Sequence, residues 1–368
     1  MGTQTNPELE ARIHANLDDR DAYLVYGDWL SERGDPRGEL IAVQVKLEQQ
    51  PNAELSVRQA KLLDENQAAW LGDLGNLDKE IDFEAVWRWG FIDSVRIGPT
   101  DGYDTSELDF PDTIEKAMQL PAIGFLRELV IGALSDDHPT SWSDCIAKLA
   151  ETGVPKTLRR LEFTRGGYWD ISSTMLGDLS PLYPHLANLR ELRIELGSMG
   201  LGATMNLPAL EKLDLYTGGL TSDNMKAINS ARWPALETLS LCIGETGNYY
   251  GCDVQFADLE PIFAAEHQPN VKHLALANSS LADQIAAALP DSRILPRLET
   301  LDLSRGTLSD EGAQAILDHW DGFAHLKTID LSHAYLSAGV AAQLLAKGTV
   351  ALADPRDAEQ DRCCEISE

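Results

Sequence analysis

Leu298-Glu-Thr-Leu301-Asp-Leu303-Ser-Arg-Gly-Thr-Leu308-Ser-Asp-Glu-Gly-Ala-Gln-Ala-Ile316-Leu317 is the stretch whose reading decides the fold. Its apolar residues fall at the first, fourth, sixth and eleventh places, after which the spacing becomes helical. A short strand, a turn and an amphipathic helix follow from that pattern. One such unit cannot bury its apolar side alone, so it makes physical sense only when copies stack.

Copies occupy residues 126–131, 158–163, 189–194, 210–215, 236–241, 271–276 and 326–331, at intervals of about 21 to 35 residues. An earlier alternation at Ile92, Val95 and Ile97 predicts the first strand of the stack, with Trp87, Trp89 and Phe91 covering its end. If the fourth and sixth positions point into the core, the third, fifth and seventh point out of the sheet, because strand side chains alternate with period two. Between strands, the segments beginning at Thr221, Ser309 and Ser337 offer Ser or Thr N-caps followed by helical apolar spacing.

The pattern resembles the leucine-rich repeat family, and its helical connections resemble the ribonuclease-inhibitor type. That resemblance covers residues from about 92 to 350. It implies an α/β solenoid, a horseshoe with parallel strands on the concave side and helices on the convex side. Where that family often has an asparagine in the turn, this chain has Gly197, Gly218, Gly244, Ser279, Gly306 and Ala334. Loss of the asparagine ladder predicts a less regular turn, while the leucines still set the strand register.

Upstream of the repeats the spacing is helical. Leu9, Ile13 and Leu17 share one face, and Tyr23, Tyr26 and Leu30 another, with Gly34 suited to the left-handed residue past a helix end. Asp35 and Pro36 read as the start of a helix over residues 37–50, and a third helix spans about 55–71 with Leu62, Leu63 and Trp70 buried. The charges between Asp28 and Glu39 are explained by caps and interhelix ion pairs before catalysis is needed. Residues 22–44, especially Tyr26-Gly-Asp-Trp-Leu-Ser-Glu-Arg-Gly-Asp-Pro-Arg-Gly-Glu-Leu-Ile41, resemble the bacterial repeat-companion domain. That resemblance implies a helical module ahead of repeats and no catalytic residue. Gly27 departs from it, since the family more often has alanine there.

The expected organisation is therefore a helical module at 1–72, a transition with a cap strand at 73–98, repeats at 99–350, and an acidic, disordered tail at 351–368. The formal net charge of -29 argues against nucleic acid and anionic membrane as partners, and for either plain solubility or a basic partner. The five cysteines include no Cys-x-x-Cys pair, which argues against a disulfide framework or zinc site and for a reducing compartment. No signal-peptide pattern or apolar run of about 18 residues is present, so a cytoplasmic location is expected.

The outward positions are charged in the first repeats, at Arg160, Glu162, Glu191, Arg193, Lys212 and Asp214, and small and polar in the later ones. Each charged residue has two readings. It forms a cross-strand ion pair worth about 0.2–1 kcal/mol, or it contacts a partner. Tyr216 and the loop residues Tyr168, Trp169, Tyr249 and Tyr250 leave the same strand edge, either as a binding rim or as local packing. Metalloprotease, phosphate-loop and nucleophile-elbow motifs are lacking, so no cofactor or metal is expected. The reading is a non-catalytic protein-binding scaffold, with an inhibitor or immunity protein for a basic enzyme as its sharper form. The alternative is an enzyme regulator, such as a small-GTPase-activating protein, or an enzyme without a recognisable motif.

Overall fold

The computed structural model describes residues 5–78, 82–99, 108–132, 141–165, 171, 174–247 and 251–366. Its first helices start where the sequence supplies caps. α1 (Pro7–Ala15) opens on Asn6, whose side chain accepts from the N–H groups of Glu8 and Leu9. α2 (Arg20–Ser31) opens on Asp19 in the same way, and Gly34 beyond it takes φ 73°. α3 (Arg37–Gln49) and α4 (Ala53–Leu71) follow, the second capped by Asn52. Leu62 is buried on α4, whereas Leu63 is only partly so and Trp70 packs against Trp87 with ring centroids 5.0 Å apart.

Two details of the α2–α3 corner explain its sequence. Asp35 accepts the Arg37 backbone N–H at 3.0 Å and holds its guanidinium at 2.6 Å, so that Arg37 is buried without an unpaired charge. Gly38 faces Gly27 across the corner, and a Cβ on Gly38 would fall inside contact distance of the Gly27 carbonyl oxygen and Ser31 Oγ. The two helices approach there by backbone.

The acidic transition contains a strand that periodicity does not announce. β1 (Phe83–Arg88) pairs antiparallel with β2 (Phe91–Ile97), and the turn between them puts Trp89 at φ 46° and Gly90 at φ 74°. Gln44 of α3 grips this turn, donating to the Trp87 carbonyl at 2.9 Å and accepting from Gly90 N–H at 2.8 Å. α5 (Phe110–Met118), β3 (Glu128–Ile131) and α6 (Trp142–Thr152) complete this region, with β3 parallel to β2. One core joins Ile13, Tyr23, Tyr26, Leu30 and Ile41 to Trp89, Phe91 and Phe125.

The chain divides into two compact units at residues 161 and 162, inside β4 (Arg160–Thr164). The helical module thus shares its unit with the strands that follow it, and the division does not coincide with residue 72 or 98.

In the second unit come β5 (Met175–Asp178), β6 (Glu191–Glu195), β7 (Ser198–Gly200), β8 (Lys212–Tyr216), α7 (Ser222–Ser230), β9 (Thr238–Gly244) and α8 (Glu260–Ala264). They are followed by β10 (His273–Ser279), α9 (Ala282–Ala288), β11 (Thr300–Asp302), α10 (Asp310–Asp318), α11 (Trp320–Phe323), β12 (Thr328–Asp330), α12 (Ala338–Leu345) and β13 (Val350–Ala351). Strands β6, β8, β9, β10, β11, β12 and β13 lie side by side in that order and run parallel, while β5 and β7 form a separate pair. The unit is α/β with a large parallel sheet.

Register follows the leucines. Leu192, Leu213, Leu239, Leu274, Leu301, Ile329 and Val350 pair in one row, and Ile194, Leu215, Leu241 and Leu276 in the next, all buried. The turns beyond stack more closely than the missing asparagines predict. A Cβ on Gly244 would collide with the Gly218 carbonyl oxygen, one on Gly197 with that of Ile171, and one on Gly306 would lie 2.5 Å from that of Ser279. Small residues let each turn sit on the backbone of its neighbour.

The helix caps differ in part. Thr221 and Ser309 accept from Asn224 and Glu311 N–H at 3.2 Å each, but Ser337 makes no side-chain cap. Its backbone N–H instead donates to Asp310 of α10 at 2.8 Å, as that of Ser309 does to Asp283 of α9 at 2.8 Å. A carboxylate in the first turn of one helix holds the start of the next.

Composition predicts a disordered tail, yet residues 356–366 are held in place. Arg356 donates to Tyr335 Oη at 2.7 Å, Arg362 reaches Asp283 at 2.7 Å, and Cys364 and Ile366 are buried. Few apolar residues suffice because the backbone and charged groups of the segment find specific partners.

Candidate functional site

Alternation on the second unit's strands is regular. In β8 the side chains of Leu213 and Leu215 are buried, while Lys212, Asp214 and Tyr216 on the other face stay partly open to solvent. The same holds for Glu191, Arg193 and Glu195 in β6, for Thr300 and Asp302 in β11, and for Thr328 and Asp330 in β12. One face of a parallel sheet is therefore polar and solvent-accessible.

Arg193 is the centre of its charged half. The guanidinium lies 2.8 Å from Glu195, 3.3 Å from Asp214 and 3.5 Å from Glu162. Burial opposes its charge, but these three carboxylates outweigh that effect and raise its pKa above the usual arginine value. Arg165 adds a second cation 3.6 Å from Glu195. Lys212 forms no ion pair among the described residues, and Glu191 stands at the exposed edge of its strand. Arg160, in the first unit, pairs with Glu128 at 2.9 Å. Arg193, Glu162 and Asp214 are thus brought together as one network.

Tyr168, Trp169, Tyr249 and Tyr250 lie outside the described residues. Tyr216 is described, and its own chain already covers it: it packs on the group formed by Ile171, Cys242, Ala277 and Ile366. Its hydroxyl accepts from Arg305 at 3.2 Å, and the Arg305 guanidinium stands 5.7 Å from the ring centroid. Burial raises the Tyr216 pKa and pushes the Cys242 thiol up to about 12, so neither is prepared to ionise at neutral pH.

Several residues at this edge escape a reading based on the third, fifth and seventh positions. Asn278, Arg305 and His333 occupy the eighth position of three successive repeats, each with φ between 49° and 65°. Earlier repeats place Leu196, Thr217 and Ile243 there, all buried. The change from Leu196, Thr217 and Ile243 to the nitrogen-bearing side chains of Asn278, Arg305 and His333 was the available signal. Asp302 and Asp330 pair directly in register, and burial, reinforced by Asp330, raises the Asp302 pKa although Ser304 donates to it.

The first unit has an open cleft of about 430 Å³ lined by Gln44, Glu48, Trp87, Arg88 and Trp89 among others. Its cation is committed, since Arg88 pairs with Glu48 at 3.3 Å and Asp18 at 3.2 Å. Among the described residues, no group of three His, Cys, Asp or Glu side chains is placed to hold a metal, and no helix is long and apolar enough to cross a membrane.

No protein-family model matches the chain, and neither does any curated protein. Among solved structures it is similar to the crystal structure of a Bacteroides fragilis protein, a structural-genomics target. The TM-score is 0.61 at 25% identity, over 74% of this chain and 79% of that one. The likeness supports the mixed α/β architecture.

Proposed function

We propose that the chain is a non-catalytic, cytoplasmic protein-binding scaffold of the leucine-rich repeat kind. In this reading the second unit is a solenoid segment, with its strands on the concave side and its helices on the convex side. The open polar face around Glu162, Glu191, Arg193, Lys212 and Asp214 is the contact surface.

The observation that carries the reading is the open face itself. Parallel sheets ordinarily bury both faces under helices, because their crossover connections lie on both sides. Here, in β6 and β8, the apolar rows are buried on one side, and the other side presents ionic side chains in register. A rigid surface of this kind recognises a partner at low ordering cost. Its carboxylates outnumber the cations they surround, which favours a partner with a basic patch.

Affinity capture from the native cell, followed by mass spectrometry, tests this. Arg193→Glu removes the cation that holds Glu162, Glu195 and Asp214 in place; repulsion among four carboxylates should spread the surface apart and reduce retention of a specific partner at least about tenfold. Unchanged retention, with the variant folded, places the contact surface elsewhere. Reproducible turnover in a hydrolase screen, abolished by the same substitution, would replace the scaffold reading by an enzymatic one.

A further inference from the structure

Three repeats in succession place a non-glycine residue in the left-handed region at the same position, Asn278, Arg305 and His333. That conformation is sparsely populated by residues with a Cβ, so it persists only where the surroundings enforce it. All three side chains serve one purpose. Asn278 is fully buried, accepts from the Ile366 N–H at 2.8 Å, and donates to the Ile366 carbonyl at 3.2 Å. Arg305 Nε and His333 Nε2 both face the Glu365 carboxylate, at 3.8 and 3.6 Å, and the Arg305 carbonyl accepts the Glu365 N–H at 2.9 Å.

This geometry reads a peptide rather than merely covering an edge. The amide of Asn278 satisfies both backbone groups of one residue, as a neighbouring strand would. The apolar patch of Ile171, Cys242 and Ala277 receives the Ile366 side chain, and the Arg305 guanidinium with the His333 imidazole receives the carboxylate before it. Tyr335 adds a third backbone clamp, since its hydroxyl accepts the Cys363 N–H at 3.1 Å and donates to the Cys363 carbonyl at 3.1 Å.

We propose that this edge is a peptide-binding groove for an extended segment carrying a carboxylate followed by a branched aliphatic residue. Residues 363–366 are its resident intramolecular occupant, and a partner segment of the same chemistry displaces them. The inference rests on the protein-binding reading above and names the kind of partner segment that a neighbouring part of the same unit accepts. The long, partly exposed Glu365 contacts favour exchange, while tethering gives the resident segment a local concentration on the order of millimolar. An incoming peptide whose intrinsic affinity, like that of the resident segment, is micromolar is then weakened roughly a thousandfold by competition.

The probe is a fluorescein-labelled peptide of residues 359–366 with serine in place of both cysteines, followed by anisotropy against the full-length chain. The double substitution Glu365→Ala plus Ile366→Asp opens the groove without shortening the protein. The peptide should bind this variant at least about tenfold tighter than the intact chain. Adding Asn278→Gly, which keeps the left-handed backbone and removes the clamp, should abolish the gain. Arg305→Gln in the opened variant provides a second reading if the glycine variant does not fold, and should also weaken binding. No binding to the opened chain, or equal binding to opened and intact chains, overturns the proposal. Partner capture that depends on Arg193 but is indifferent to the groove leaves the scaffold reading standing and removes this one.

Discussion

Leu213→Ala is the perturbation that probes the register of the second unit most sharply. Leu213 is fully buried on β8, paired with Leu192 on one side and Leu239 on the other. Removing its isobutyl group loses the transfer term and leaves a cavity, and Leu→Ala changes of this kind cost about 2–5 kcal/mol. Backbone pairing on both sides limits collapse, so the middle of that range rather than its lower end, about 3–4 kcal/mol, is expected. For a unit of this size each kcal/mol lowers Tm by about 2–4 °C, giving roughly 6–16 °C.

The companion variant is Lys212→Ala, one residue earlier on the opposite face. Lys212 is partly exposed and forms no ion pair among the described residues, so its removal should change stability by no more than about 0.5 kcal/mol. Thermal and urea unfolding of both full-length variants, followed by circular dichroism, reads the difference. A one-residue slip in register exchanges the two faces. Comparable costs at 212 and 213, or a loss below about 1 kcal/mol for Leu213→Ala, would refute the side-chain assignment on which the open face depends.

Two further substitutions test other parts of the account. Gly38→Ala should destabilise the chain by about 1–3 kcal/mol in urea unfolding, because its Cβ would press on the Gly27 carbonyl and Ser31 and force α2 and α3 apart; a gain in stability would mean that the corner has room. Asp302→Asn should stabilise the protein at neutral pH. Burial raises the folded pKa of Asp302, so the stability it contributes is fully present below the unfolded value and is lost as pH rises through the folded value. Asparagine keeps an acceptor for the Ser304 N–H without ionising, and its advantage in Tm should disappear as pH falls below about 4. An advantage that persists there would assign the effect to something other than ionisation.

The apolar rows were readable because strand periodicity and burial are the same fact seen twice. Leu213, Leu239, Leu274 and Leu301 occupy fourth positions in the sequence and one row in the sheet. The charged cluster was readable to the extent that Arg193, Glu162 and Asp214 fall on outward positions of neighbouring strands. Other features depend on distances that no periodicity encodes. β1 is hidden in an acidic stretch because its edge position tolerates polar residues, and its partner is fixed by a two-residue turn at Trp89 and Gly90. Turn glycines look like weaknesses until Gly244 is seen against the Gly218 carbonyl. Residues 356–366 are polar by composition, and only the location of Asn278, Arg305 and Tyr335 shows where their hydrogen bonds go.

Hydrogen exchange on the captured complex tests the central claim most directly. Amide protection should rise on peptides spanning β6 and β8 and on residues 162–165, while α10 and α12 exchange as they do in the free protein. Protection confined to those helices, or to the helical module before residue 72, would contradict a scaffold that binds through its open sheet face.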